Sequence, residues 1–371
     1  MRRAVGNTTA QSGIWEWHSL PYHAVLPDRI LARVTGSALV EGNERVPWSS
    51  VVKVIRRTAL EEQGETASAT REMLAYRSGL LVDLPGPLRA PRLLGVDEDD
   101  AAVWLWLEDL QDAYARRWPL EQFGLAARHL GLFNGAYLVS RALPTYPWLR
   151  DWLNPHQVEL RAGLERNPTY GQLQQLVRDA RVQHLLGPTI ASRTARLLQD
   201  QARFVGALSQ LPQTLCHHES SLANLFAVRR LDGQLETVAV DWEQVGPASI
   251  GADISTLVFG TLRRCEFDAE RATELDETVF TSYVTGLREA GWQGRTEDVR
   301  LGFTAAVGLR WGVMASLLRG FVESALQVQR PSQGWEVSPE EVVAQWVRLC
   351  GFLLDRADEA RRLIADPPPG L

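Results

Sequence analysis

Lysine is nearly missing from this chain. Of 39 basic residues, 38 are arginine and one, Lys53, is lysine. Cysteine is scarce as well. Cys216, Cys265 and Cys350 are far apart and form no CxxC pair, which excludes a disulfide framework or a zinc site and fits a reducing compartment. There is no excess of positive charge: the net charge is −6, against the basic face that a nucleic-acid partner demands. Long apolar runs are absent too. The best of them, "TAAVGLRWGVMASLLRGFV" (304–322), is interrupted by Arg310 and Arg319, so it reads as a core helix and not a membrane span. The N-terminus begins with two arginines but never develops the apolar stretch of a signal peptide. Repeats and low-complexity tracts are missing. A cytoplasmic protein without membrane or nucleic-acid partners is expected.

What remains is ordinary globular material: 371 residues, 45% apolar and 23% charged, enough for two or three cores. Residues 28–57 alternate as β-strands around turn residues, with Thr-Gly-Ser at 35–37 and Gly42-Asn43 as breaks. In "SVVKVI", Val52 and Val54 share one face, and Val51, Lys53 and Ile55 the other. A lysine in mid-strand on an apolar face either snorkels at an edge or holds an anion. Helical periodicity predicts a helix over 68–81, with Glu72 in its first turns, and "AAVWLWLEDL" (101–110) reads as a buried strand. From about 112 the pattern is helical, including 156–167 and 192–211. Two short strand-like pieces, "ANLFAV" and "ETVAVDW", interrupt it, and helices return over 254–364.

"CHHESSLANLF" (216–226) carries the chemistry. His217, Glu219 and Asn224 stand at the spacing His-x-Glu-x₄-Asn, and "VAVDWEQVGPASIGADIS" follows, with Asp241 after an apolar strand and Asp253 twelve residues on. Together with "SVVKVIRR", "TREMLAY" and "LWLEDL", these pieces resemble the protein-kinase-like fold in its aminoglycoside-phosphotransferase and choline-kinase branch. The resemblance spans roughly 28–260 and continues weakly to about 360. It implies an α+β, bilobal architecture: an N-lobe over 1–107, with a small sheet and one helix, and a helical C-lobe over 108–371.

The resemblance also implies roles. Lys53 would pair with the phosphates of ATP or GTP, and Glu72 would position it. The backbone at Trp106, Leu107 and Glu108 would meet adenine. Asn224 and Asp241 would hold Mg²⁺, which suits hard oxygen ligands. Glu219 would act on the acceptor hydroxyl, His217 would pack under the loop, and Asp253 would brace it. Phosphoryl transfer needs charge neutralisation and alignment more than covalent chemistry from the protein, and this residue set supplies both.

The sequence departs from the family in two places. Ser221 stands where many protein kinases have a lysine, and Glu219 replaces the usual aspartate. Glutamate keeps the carboxylate but reaches about 1.5 Å farther. Three readings follow: a kinase for a small-molecule hydroxyl, a degenerate relative that binds nucleotide or a partner without transfer, and a kinase for Ser or Thr of a peptide in natural-product maturation. The acidic stretch "CEFDAERATELDE" (265–277) could favour a cationic acceptor, though a solvated helix face explains it better.

Overall fold

The computed structural model describes residues 1–20, 29–41, 44–56, 68–152, 170–323 and 338–365. The expected turn at Gly42-Asn43 and the expected helix over 156–167 lie outside them. The chain divides into two compact units. The first comprises Met1–Leu84, Leu88–Arg116 and Phe226–Gln244, and the second Pro85–Pro87, Arg117–Leu225 and Val245–Leu371. The first unit thus extends past the sequence boundary at 107 and takes in a strand pair that returns from residue 226.

In the first unit, short helix α1 (Arg2–Val5) precedes strands β1 (Gln11–Ser19), β2 (Arg29–Leu39) and β3 (Arg45–Arg56). Helix α2 (Ser68–Arg77), β4 (Leu88–Arg89), β5 (Leu93–Glu98) and β6 (Ala102–Leu107) follow. The antiparallel sheet runs β1-β2-β3-β6-β5, so β3 is central. Lys53 faces Leu31 on one neighbour and Leu105 on the other. Strand alternation puts Ala32, Val52 and Trp106 on the opposite face. The segment read as two strands around Thr-Gly-Ser is one strand of 11 residues. Gly36 is not a turn there. A Cβ on it would lie 2.8 Å from the Ile14 carbonyl, where β1 shifts register beside it. Helix α2 stops at Arg77, short of the expected 81, because Gly79 turns the chain at φ 78°. The returning strands β8 (Leu225–Arg229) and β9 (Leu235–Ala239) form a second small sheet with β4, in which β9 is central and pairs parallel with β4.

The second unit is mainly helical: α3 (Leu120–Val139), α4 (Tyr170–Leu176), α5 (Ala180–Leu186), α6 (Ile190–Gln199) and α7 (Gln201–Gln210) lead to strand β7 (Gln213–Cys216). β7 pairs antiparallel with β10 (Gly246–Ser249). Then come α8 (Ala252–Arg263), α9 (Ala272–Glu289), α10 (Thr296–Gly308), α11 (Trp311–Val322) and α12 (Pro339–Ala365). Helices α3 and α9 pack backbone to backbone. A Cβ on Gly131 would lie 2.2 Å from the Tyr283 carbonyl, and one on Gly286 2.0 Å from the Arg128 carbonyl. The expected helix at 192–211 is two helices that meet at Asp200. By length and composition alone Thr296–Val322 would pass for a membrane span, but it is broken into α10 and α11 and most of its apolar stretch is buried.

His129 sits in the middle of α3 and is buried. Burial, and then the charge of Arg128, lower its pKa to about 4. Its folded value is depressed below the ordinary 6.5, so its stabilising contribution is complete above about pH 6.5 and is lost as pH falls towards 4. The full loss is about 3 kcal/mol. Thermal unfolding of native protein and His129→Gln across this window should therefore converge at low pH, with the variant showing the shallower acid slope.

Candidate active site

Three elements of the first unit bring together one cation and three carboxylates. Lys53 Nζ, from the central strand, donates to Glu72 Oε2 on α2 at 2.5 Å and to Asp241 Oδ1 at 2.8 Å. The lysine and Glu72 side chains are 5% and 2% exposed and Asp241 is 21%, so only the aspartate meets the open side. Burial pushes Glu72 up from the usual carboxylate range, and the Lys53 charge opposes that shift.

Asp241 is delivered by β9 and a tight turn. Trp242, fully buried, donates its indole N–H to the Ala239 carbonyl at 2.7 Å. Arg71 Nε donates to the Glu243 carbonyl at 2.8 Å, tying the turn to α2. Between these anchors Asp241 is held at φ 64°, a left-handed conformation that a non-glycine residue rarely adopts. Oδ2 of Asp241 has no hydrogen-bond partner among the described residues, and carboxylate oxygens of Asp241 and Glu243 lie within 4.8 Å of one another. This is a donor set for a hard cation. Glu243 was not foreseen; its only sequence signal is its place two residues after Asp241.

The hinge residues divide their tasks. Trp106 lies on the sheet face opposite Lys53, packs against the cluster that holds Ala32 and Val52, and donates its indole N–H to Asp97 Oδ2 at 2.8 Å. Leu107 is buried between Val51 and Leu93. Glu108 uses its backbone N–H on the Arg92 carbonyl (3.0 Å) and its carboxylate on Arg89 (2.7 Å). That backbone donor is therefore engaged within the sheet and is not open to adenine.

In the second unit the loop after β7 is held by Asp253 of α8. One carboxylate oxygen accepts from His218 N at 2.7 Å, and the other from His217 N and Asn134 Nδ2, both at 3.1 Å. Asn134, on α3, also donates to the Leu215 carbonyl (2.7 Å) and accepts from Tyr283 Oη (2.8 Å). It thereby links α3, β7, α8 and α9, a role with no sequence signal. His217 Nδ1 accepts from Glu219 N at 3.2 Å, and His218, at φ 69°, stacks on Trp152 with ring centroids 4.2 Å apart.

Beyond Glu219 the loop closes on itself. Asn224 Nδ2 donates to the Glu219 carbonyl at 3.0 Å, which fixes the amide and leaves Oδ1 without a hydrogen-bond partner among the described residues. An oxygen presented in this way fits a hard divalent cation.

Lys53→Ala should leave Glu72 buried beside Asp241 with no cation, costing about 3–5 kcal/mol at neutral pH. Glu72 would rise further, so the deficit in Tm should be smallest in acid and grow as pH climbs through its raised pKa. Thermal unfolding of Lys53→Ala and of Lys53→Ala/Glu72→Gln checks this. The double variant should regain most of the Tm and lose the pH dependence of the deficit.

No protein-family model matches the sequence, and no curated protein is similar to it. Solved structures do match. An amicoumacin kinase, hAmiN, determined in complex with AMP-PNP, Ca²⁺ and Ami, is 14% identical over 91% of this chain and 88% of its own, with a TM-score of 0.50. An aminoglycoside phosphotransferase from Alicyclobacillus acidocaldarius is 13% identical over 89% of this chain and 90% of its own, with a TM-score of 0.48. APH(3'')-Id from Streptomyces rimosus is 17% identical over 80% of this chain and 93% of its own, with a TM-score of 0.41. At such identities a likeness speaks for the fold alone, and it is the likeness to the amicoumacin kinase that carries it: the chain has the α+β, protein-kinase-like fold that its resemblance to aminoglycoside phosphotransferases implies.

Proposed function

We propose that this chain is a phosphotransferase that moves the γ-phosphoryl group of ATP or GTP to a hydroxyl of a small molecule. The observation that carries the reading is the sole lysine, buried in the central strand and bonded at once to Glu72 and Asp241. A chain that otherwise uses arginine has placed its one compact, rotatable cation where a phosphate oxygen could replace a carboxylate.

In this reading Lys53 neutralises phosphate oxygens while Glu72 keeps it aimed, and backbone near Trp106–Glu108 borders the base. Asn224 and Asp241, with Glu243 beside the aspartate, supply oxygens for Mg²⁺, which when bound offsets negative charge on the phosphates. Asp253 and His217 fix the loop so that Glu219 is presented to the acceptor. The acceptor oxygen forms a bond to the γ-phosphorus, the bond from that phosphorus to the bridging oxygen breaks, the nucleoside diphosphate leaves, and the hydroxyl proton passes to Glu219. Such chemistry belongs in the cytoplasm, where nucleotide and magnesium are abundant, and asks for no nucleic acid or membrane.

Glu219 separates a working enzyme from a relative that only binds nucleotide. With the longer carboxylate as a working base, Glu219→Asp should slow turnover roughly 10- to 100-fold by misplacement. Glu219→Ala should lose about 10²–10⁴-fold, and the Mg-ATP-induced rise in Tm should survive in both. Nucleoside diphosphate release by the three proteins, with a panel of hydroxyl acceptors, is the measurement. An aspartate variant faster than the native protein would reverse the reading and make the glutamate a lesion.

A further inference from the structure

Helix α8 runs along the candidate catalytic loop, and one stripe of its surface makes most of the contacts, with Thr261 beside it. Asp253 takes the loop's backbone N–H groups, and its own carbonyl accepts from Ser220 Oγ at 2.8 Å. Thr256 Oγ1 donates to the His218 carbonyl at 2.9 Å. Gly260 leaves room for Ser221, whose Cβ would be 2.9 Å from a Cβ on that glycine. Positions 253, 256, 260 and 263 share one helical face. Arg263 is therefore the next residue on the stripe that follows the loop, and it makes no hydrogen bond or ion pair among the described residues.

Arg310, between α10 and α11, reaches the same place. Its Nη2 donates to Thr256 Oγ1 at 2.5 Å and to Ser255 Oγ at 3.2 Å, while its Nε is buried without a hydrogen-bond partner. Burial first, and then the charge of Arg263, lower its pKa to about 10, and Glu219 and Asp253 pull the other way. Both oxygens of Asp253 are already occupied by the loop and Asn134. The charge of Glu219, the candidate base, acts on both guanidinium groups. A helix C-terminus favours a cation, which alone could account for Arg263. It accounts neither for Arg310 nor for the donor that Arg310 leaves unused.

Three carboxylates of the acidic stretch at 265–277 are held by other arginines. Asp276 is taken by Arg300 and Arg356, Glu270 by Arg348, and Glu274 by Arg271.

We propose that Arg263 and Arg310 form an oxyanion subsite beside Glu219, so that the hydroxyl acceptor is itself an acid, carrying a carboxylate or a phosphate group. Guanidinium forks match these oxyanions in shape as well as charge, whereas a cationic amino alcohol would be repelled. The inference rests on the phosphotransferase reading and narrows its substrate class. It also supplies cations near the loop where Ser221 replaces a kinase lysine.

Release of nucleoside diphosphate is measured with D-glycerate, gluconate and glycerol phosphate, against choline, kanamycin and glycerol. The native protein should use at least one anionic acceptor with kcat/KM about tenfold or more above the cationic and neutral compounds. Arg263→Glu should lose that preference by about 100-fold through acceptor KM, with KM for Mg-ATP unchanged, and Arg263→Lys should recover part of it. Arg310→Gln should act in the same direction, and circular dichroism of each variant checks that it folds. A native preference for choline or kanamycin, an Arg263→Glu variant that keeps the native order, or a panel in which no anion responds would each overturn the subsite. So would a loss confined to kcat, which assigns the pair to the transferred phosphoryl group. The nucleotide reading stands apart from these outcomes: it fails only if Mg-ATP raises the Tm of native protein and of Lys53→Ala alike.

Discussion

A buried ammonium group between two carboxylates sets the polar centre of the first unit. Lys53 joins the central strand to α2 through Glu72 and to the turn after β9 through Asp241. Without the cation, two like charges would face each other where little water reaches. At an effective dielectric constant of about 20, each attraction at 4 Å is worth about 4 kcal/mol before desolvation is subtracted. An ammonium group suits the task because its donors rotate about a compact charge, so one bond can be exchanged for a bond to a ligand while the other persists.

The second unit solves a related problem with the charge reversed. There a buried carboxylate, Asp253, collects backbone N–H groups from His217 and His218 and the amide of Asn134. Bonds to a charged acceptor are the stronger kind, and they hold His218 in a conformation that its side chain disfavours. Thr256, Gly260 and Thr261 then follow the loop residue by residue, Thr261 accepting from Leu222 N at 3.3 Å. Glu219 is presented by a segment whose geometry is decided by its neighbours and not by its own preferences.

Much of this was legible in the sequence where a residue was rare or the spacing rigid. Lys53 stood out because it had no competitor, and the His-x-Glu-x₄-Asn spacing drew attention to Glu219 and Asn224. The fold class was implied by the family resemblance of the motifs in order, and strands giving way to helices agreed with it. Other features left no mark. Strand β1, with exposed Trp15 and Trp17, lacks a clean apolar face, and Gly36 looks like a turn until the neighbouring strand is seen pressing on it. Asn134 acts through four elements that are distant in sequence. Arg263 and Arg310 are two among 38 identical side chains, and only the packing of α8 singles them out.

The near absence of lysine has a consequence for covalent chemistry. Reagents that acylate ε-amino groups find one such group in the entire chain, on a side chain that is buried and tied to two carboxylates. Dense surface labelling, the usual outcome with proteins of this size, is not available here. Acylation at Lys53 instead becomes a single-site clock. Its rate, read at Lys53 by peptide mapping so that the α-amino group of the chain is counted separately, reports how often the lysine leaves its ion pairs and meets solvent, and any molecule that occupies or opens that centre will change the rate.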